Sequence, residues 1–264
     1  MKDLLRRTAT GISLVVLFVG SILLGPLPFL LMILLVFLLC IRELYTLYDL
    51  KGTLHGVLFA FSGGLLIILI YAGLRFHLSP AWMAIPALLW ISGYLYSGSH
   101  MAGSLTLFWL VIPFASFYAL GWVTEGGPYR PLLPVSVISL VWINDTFAYL
   151  TGSLLGRHRL TPRLSPGKTW EGTVGGMVFT LFAGWAVCRI TGTYPLPFWL
   201  LVVTIICLLG LAGDLFESHL KRMKNVKDMG TLLPGHGGVL DRFDSLLFVA
   251  PAILIYVILL NLGQ

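Results

Sequence analysis

Two short stretches hold the residues able to do chemistry. Residues 213–245 carry Asp214, Glu217 and Ser218, then a basic run with Lys221, Arg222, Lys224 and Lys227. Asp228 follows, then Pro234-Gly235-His236-Gly237-Gly238, and the stretch closes on Asp241-Arg242-Phe243-Asp244. Residues 144–172 carry Asn144-Asp145, three arginines, and Ser165-Pro166-Gly167-Lys168-Thr169-Trp170-Glu171. Together they contain seven of the eleven acidic residues and nine of the seventeen Lys and Arg. Charge in or beside hydrocarbon is costly unless partnered, so an apolar chain that gathers its charge in this way does chemistry or conduction there.

Spacing narrows the chemistry. Asp214, Glu217, Ser218 and Lys221 stand at i, i+3, i+4 and i+7, on one face if the helix continues through them. Asp241 and Asp244 are also i, i+3, just before the last apolar run. Carboxylates converging from two helix ends could hold Mg²⁺, with substrate phosphates completing its shell. The same carboxylates could equally neutralise the nearby cations in a patch that faces anionic lipid. Gly237-Gly238 lets a backbone approach a ligand and turn its N–H groups toward an anion, although Gly and Pro also serve plain tight connections. His236 fits a phosphate donor or an ordinary loop residue. Asp145 interrupts an apolar run near its middle, where an ionisable group reaches a metal or pairs with a neighbouring cation. Residues 165–169 imitate a Walker loop only superficially, because position 162, where that pattern needs Gly, is Pro162. A basic Ser/Gly/Lys segment entering a helix still suits phosphate.

The elements that must position these residues are membrane helices. The 264-residue chain is 58% hydrophobic and 11% charged, against about 25% charged in soluble domains. Nine continuous apolar runs, near 8–24, 27–45, 54–74, 80–97, 103–123, 132–154, 172–191, 196–216 and 245–262, predict an all-α polytopic membrane protein. The basic N-terminus followed by an apolar run reads as a retained first span. With the N-terminus inside, fourteen Lys and Arg fall on the cytoplasmic side and three (Arg75, Arg130, Arg189) opposite, which predicts an N-in, C-out chain with both charged loops, 155–171 and 217–244, in the cytoplasm. The net charge of +6 follows this sorting and gives no sign of nucleic acid. Cys40, Cys188 and Cys207 lie in or beside apolar runs without metal-ligand spacing. Residues 1–130 are expected to be scaffold, with lipid access and dimer contacts, and residues 131–264 the catalytic region.

The order Ser218, Lys221-Arg222, Lys227-Asp228, Gly230, Pro234-Gly235-His236-Gly237-Gly238, Asp241-Arg242, Asp244 resembles the signature of the phosphatidate cytidylyltransferases, the CDP-diacylglycerol synthases. Asn144-Asp145 and Ser165–Gly172 are similar to a second region of that family, so the resemblance covers the C-terminal half. It implies a Mg²⁺-dependent reaction, CTP plus phosphatidate giving CDP-diacylglycerol and pyrophosphate, in a homodimeric integral membrane enzyme. It implies Asp214 and Asp241 as metal ligands with Asp244 beside them, for one ion or a pair, and Lys221 among the catalytic residues. Under that reading Ser165, Lys168, Ser218, Arg222, Lys227, Asp228, His236, Gly237, Gly238 and Arg242 bind substrate, and Asp145, Glu171 and Glu217 support the site. The compact length suits a bacterial inner membrane with the active site facing the cytoplasm. Two rivals differ in chemistry. A CTP-dependent lipid or polyprenol kinase would release CDP, and an ion-coupled transporter would place its charges mid-span within inverted repeats.

Overall fold

The computed structural model describes residues 2–50, 53–96, 100–123, 128–230, 232 and 237–262. Helix dominates. Among the described residues, seven helices are long and apolar enough to cross a bilayer, among them 26–47, 54–76, 100–122 and 132–155, and two further apolar helical stretches, Gly11–Leu24 and Ala81–Leu95, are shorter. The chain is a largely helical integral membrane protein. It divides into two compact units: residues 1–132 with 228–243, and residues 133–227 with 244–264.

The first unit contains α1 (Lys2–Leu24), α2 (Pro26–Leu47), α3 (Leu54–Phe76), α4 (Ala84–Tyr96), α5 (His100–Leu105) and α6 (Ile112–Ala119), the last two joined by a π-helical stretch, Thr106–Val111. Gly25 separates α1 from α2 at φ 126°, a conformation open to glycine, and Pro26 takes the first helical position, where its missing N–H costs nothing. The core is aromatic. Phe29 packs against Phe18 and Phe117, and Phe243 lies 5.1 Å from Phe18 and 6.2 Å from Phe114 between ring centroids. Phe243 thereby anchors a short 3₁₀ turn, Leu240–Arg242, among the helices of this unit.

The second unit contains α7 (Leu132–Leu155), β1 (Arg159–Thr161), β2 (Ser165–Thr169), α8 (Trp170–Thr191), α9 (Leu196–Met223) and α10 (Asp244–Leu262). The 155–171 connection, which composition suggests is a loop, folds as an antiparallel hairpin with Arg159 opposite Thr169 and Thr161 opposite Ser165. Pro162, which has no N–H to give a ladder, sits in its turn, closed by Leu164 N–H donating to the Thr161 carbonyl. β2 runs straight into α8. The Thr169 hydroxyl accepts the Gly172 N–H at 3.1 Å and caps the helix. α7 and α8 pack closely because a Cβ at Gly172 or Gly176 would meet the backbone oxygen of Ala148 or Asn144.

Candidate active site

α9 has 28 residues, or about 42 Å at 1.5 Å per residue, against a hydrocarbon core of about 30 Å. Its apolar part ends at Ala212, and its last three turns carry Asp214, Glu217, Ser218 and Lys221. The helix continues through them, so they share a face as their spacing predicts. Glu217 and Ser218 are buried, and Lys221 donates to Glu217 at 3.0 Å across one turn. α10 starts at Asp244, whose carboxylate accepts the Ser245 N–H at 2.7 Å. A Cβ at Gly213 would come within 2.6 Å of the Asp244 carbonyl oxygen. The Ser245 hydroxyl donates to the Gly210 carbonyl at 3.3 Å. Glycines on α9 thus let the start of α10 lie directly against it. Each of Asp214, Glu217 and Asp244 consequently presents a carboxylate oxygen within 4.8 Å of the other two.

Two lysines meet this cluster. Lys221 pairs with Glu217, and Lys168, on β2, pairs with Asp214. The hairpin carries Lys168 to the carboxylates and is itself clipped at its base, where Glu171 accepts the His158 N–H and lies 2.6 Å from His158 Nδ1. Beside the cluster is a cavity of about 340 Å³, lined by Asn144, Asp145, Tyr149, Lys168, Cys207 and Asp214 among others. Asn144 Oδ1 accepts from the Cys207 thiol at 3.5 Å. Tyr149 and Leu211 add apolar surface to its lining. The donor set suits Mg²⁺, a hard cation that takes carboxylate oxygens and retains coordination sites for phosphate. Soft-metal chemistry has no basis in it, since the triad is all oxygen.

Ser165 opens β2, three residues from Lys168. The Arg222 guanidinium donates to the carbonyls of Leu164 and Val226, joining the end of α9 to the hairpin. Lys227 and Asp228 are exposed, and Arg242 lies exposed on the 3₁₀ turn. His236 lies outside the described residues. Asp241 belongs to the first unit, where its carboxylate accepts the N–H of Gly238 at 2.7 Å and that of Met229 at 3.2 Å. The Gly238 N–H, expected to face a phosphate, therefore donates to Asp241. Gly237 adopts φ 81°, the left-handed region that its lack of a Cβ permits. Sequence reasoning passed over Glu43 of α2. It is 3% exposed, and its oxygens accept the N–H groups of Val239 and Leu240, each at 2.9 Å. A lone acid four residues from the end of an apolar helix was the only signal available.

Membrane helices that gather carboxylates beside a lysine-bearing hairpin define an integral membrane protein with a charged centre. The chain belongs to the cytidylyltransferase family, whose family model matches residues 5–260. It is 32% identical to the phosphatidate cytidylyltransferase of Bacillus subtilis over 266 aligned residues, covering 95% of this chain and 96% of that one. It is 47% identical over 121 residues to the proteins of that name from Staphylococcus saprophyticus and Staphylococcus haemolyticus. Those shorter matches take in 45% of this chain and 46% of each staphylococcal protein, so the aligned part spans about half the length of these curated relatives.

Proposed function

We propose that the chain transfers CMP from CTP to phosphatidate, releasing pyrophosphate and leaving CDP-diacylglycerol in the membrane. The observation that carries this reading is the convergence of Asp214, Glu217 and Asp244 within 4.8 Å, with Lys168 paired to Asp214, in a chain of the cytidylyltransferase family.

A phosphatidate oxygen attacks the α-phosphorus of CTP and pyrophosphate departs in line. Both reactants are anions, so charge neutralisation and positioning dominate the barrier. Asp214 and Asp244, with Glu217 beside them, would hold Mg²⁺, and Asp241 is proposed as a further ligand from its place in the signature. The bound ion, or a pair, would supply a Lewis acid that neutralises and aligns phosphate oxygens. Lys168 presents a cation from β2 to the phosphates, and Ser165 is assigned to substrate binding from its place in the family's second region. Lys221, tied to Glu217, holds that carboxylate in place, and Arg222 fastens the hairpin to α9. Arg242, Ser218, Lys227, Asp228, His236 and Gly237 are assigned to substrate binding from the signature. The phosphate nucleophile is already ionised, so no residue is needed as a general base. The acyl chains stay in the bilayer. The enzyme works as a homodimer in a bacterial inner membrane with this centre on the cytoplasmic side.

The test uses purified protein, phosphatidate, Mg²⁺ and CTP labelled in either the α- or the γ-phosphate. The α label should enter the lipid fraction and the γ label should leave as pyrophosphate. A γ label in the lipid, with CDP in the aqueous phase, would make the chain a kinase.

A further inference from the structure

A carboxylate buried in a membrane helix is costly unless hydrogen bonds satisfy it. Glu43 of α2 meets that demand with the backbone N–H groups of Val239 and Leu240, both at 2.9 Å. The preceding N–H, that of Gly238, donates to Asp241. Three successive N–H groups of one turn therefore point at two carboxylates, the arrangement in which consecutive backbone dipoles hold an anion. Here the anions are the protein's own. The surroundings leave Glu43 little freedom. A Cβ at Gly230 would run into its carboxylate, and one at Gly238 would come within 2.6 Å of Oε2. Asp241 shares this turn, and its Oδ2 lies 2.9 Å from the same added Cβ at Gly238. The direction of the Asp241 carboxylate thus depends on the turn, and the turn depends on Glu43.

We propose that Glu43, a residue of the N-terminal half, is a positioning residue that clamps the Gly238–Arg242 turn and fixes the Asp241 carboxylate for cation binding. The proposal rests on the assignment of Asp241 as a ligand. Glu43 touches neither substrate nor cation; it acts through two backbone amides. Glu43→Gln keeps the shape of the side chain but offers one acceptor oxygen for two donors. Gly230→Ala leaves Glu43 chemically intact and pushes its carboxylate from the other side.

Three measurements on the full chain in detergent test this, alongside the thermal midpoint as a control for folding. Hydrogen exchange at the amides of residues 238–240 should quicken about tenfold in both variants, as loss of one ordinary hydrogen bond implies. Binding of Mn²⁺ alone, followed by electron paramagnetic resonance, should weaken by roughly 10–100-fold, the usual effect of losing a group that orients a ligand. The Mg²⁺ concentration for half-maximal CMP transfer should rise in step, with much of kcat recovered at high Mg²⁺. Unchanged exchange in Glu43→Gln would show that the carboxylate does not hold the turn and would overturn the proposal. Faster exchange with wild-type Mn²⁺ affinity and wild-type Mg²⁺ dependence would reduce Glu43 to a structural tie and overturn it equally. A wild type that makes no CDP-lipid while Glu43→Gln still weakens Mn²⁺ binding would sink the functional reading and leave the clamp standing.

Discussion

Asp214, Glu217 and Asp244 are the residues on which the proposed chemistry turns, and each can be tested by an isosteric change. Asp214→Asn and Asp244→Asn remove a charge but little volume, so membrane insertion should persist. CMP transfer should fall by roughly 100-fold or more, the scale seen when a group that stabilises transition-state charge is lost. Near-normal turnover at saturating Mg²⁺ would remove that residue from the cation site. Asp241→Asn should behave likewise, although its carboxylate also accepts two backbone N–H groups and some loss of stability should accompany the loss of rate. Glu217 is paired with Lys221 at 3.0 Å on its own helix, whereas Asp214 takes its lysine from the hairpin. If Lys221 orients Glu217 rather than touching phosphate, Lys221→Ala and Glu217→Gln should have similar effects, and the double variant should be little worse than either one. Additive losses would place Lys221 on the substrate instead. Chelation of divalent ions should abolish transfer in the wild type, and Mg²⁺ should restore it.

Helices and the hairpin determine whether those side chains meet. The contact of α9 with the start of α10 depends on glycine, since a Cβ at Gly213 would approach the Asp244 carbonyl to 2.6 Å. Backbone on both sides cannot yield as a flexible side chain would, so Gly213→Ala should separate the helix ends. A lowered thermal midpoint and a loss of transfer at least as large as that of Asp244→Asn are expected. Gly20→Ala in α1, where an added Cβ meets nothing within 4 Å, should leave both unchanged. Thr169→Ala removes the cap of α8 at a cost of about 1 kcal/mol and frays the joint that carries Lys168, so the KM for CTP should rise more than kcat falls. The shared face of Asp214, Glu217, Ser218 and Lys221 was legible in the sequence because helical period alone sets it. The approach of Asp244 was legible as two charged helix ends joined by a glycine-rich connection. The hairpin was not, because five residues containing Pro166 and Gly167 carry no strand pattern. Arg222 read as a phosphate ligand, and only tertiary packing could reveal its donation to backbone carbonyls. Glu43 was beyond reach for another reason: its partners lie 196 and 197 residues away, and no local pattern encodes such a pairing.

The proposed reaction requires the chain to cross the bilayer so that both charged connections lie on the side where CTP is found. Among the described residues seven helices have the length and hydropathy for this; the apolar stretch Gly11–Leu24 is part of the 23-residue α1, and Ala81–Leu95 is shorter. Two arrangements follow. If all nine cross, the segment 48–53 lies on the side of the N-terminus and residues 77–79 on the opposite side. If α1 and Ala81–Leu95 only lie in the interface, those two segments exchange sides. The hairpin and residues 224–243 stay on the side of the N-terminus in both, and the C-terminus stays opposite. Charge separates the two arrangements. Lys51 falls within the first segment and Arg42 precedes it, whereas only Arg75 adjoins the second; basic residues are retained on the cytoplasmic side, so we favour nine. With Cys40, Cys188 and Cys207 replaced, a single cysteine at exposed Asp49 should react with a membrane-impermeant maleimide only from the cytoplasmic face, and one at Leu78 only from the outside. The reverse pattern would give seven crossings without disturbing the proposed centre. A cysteine at Gly167 in the hairpin that reacted only from the outside would remove that centre from the nucleotide, and the proposed reaction with it.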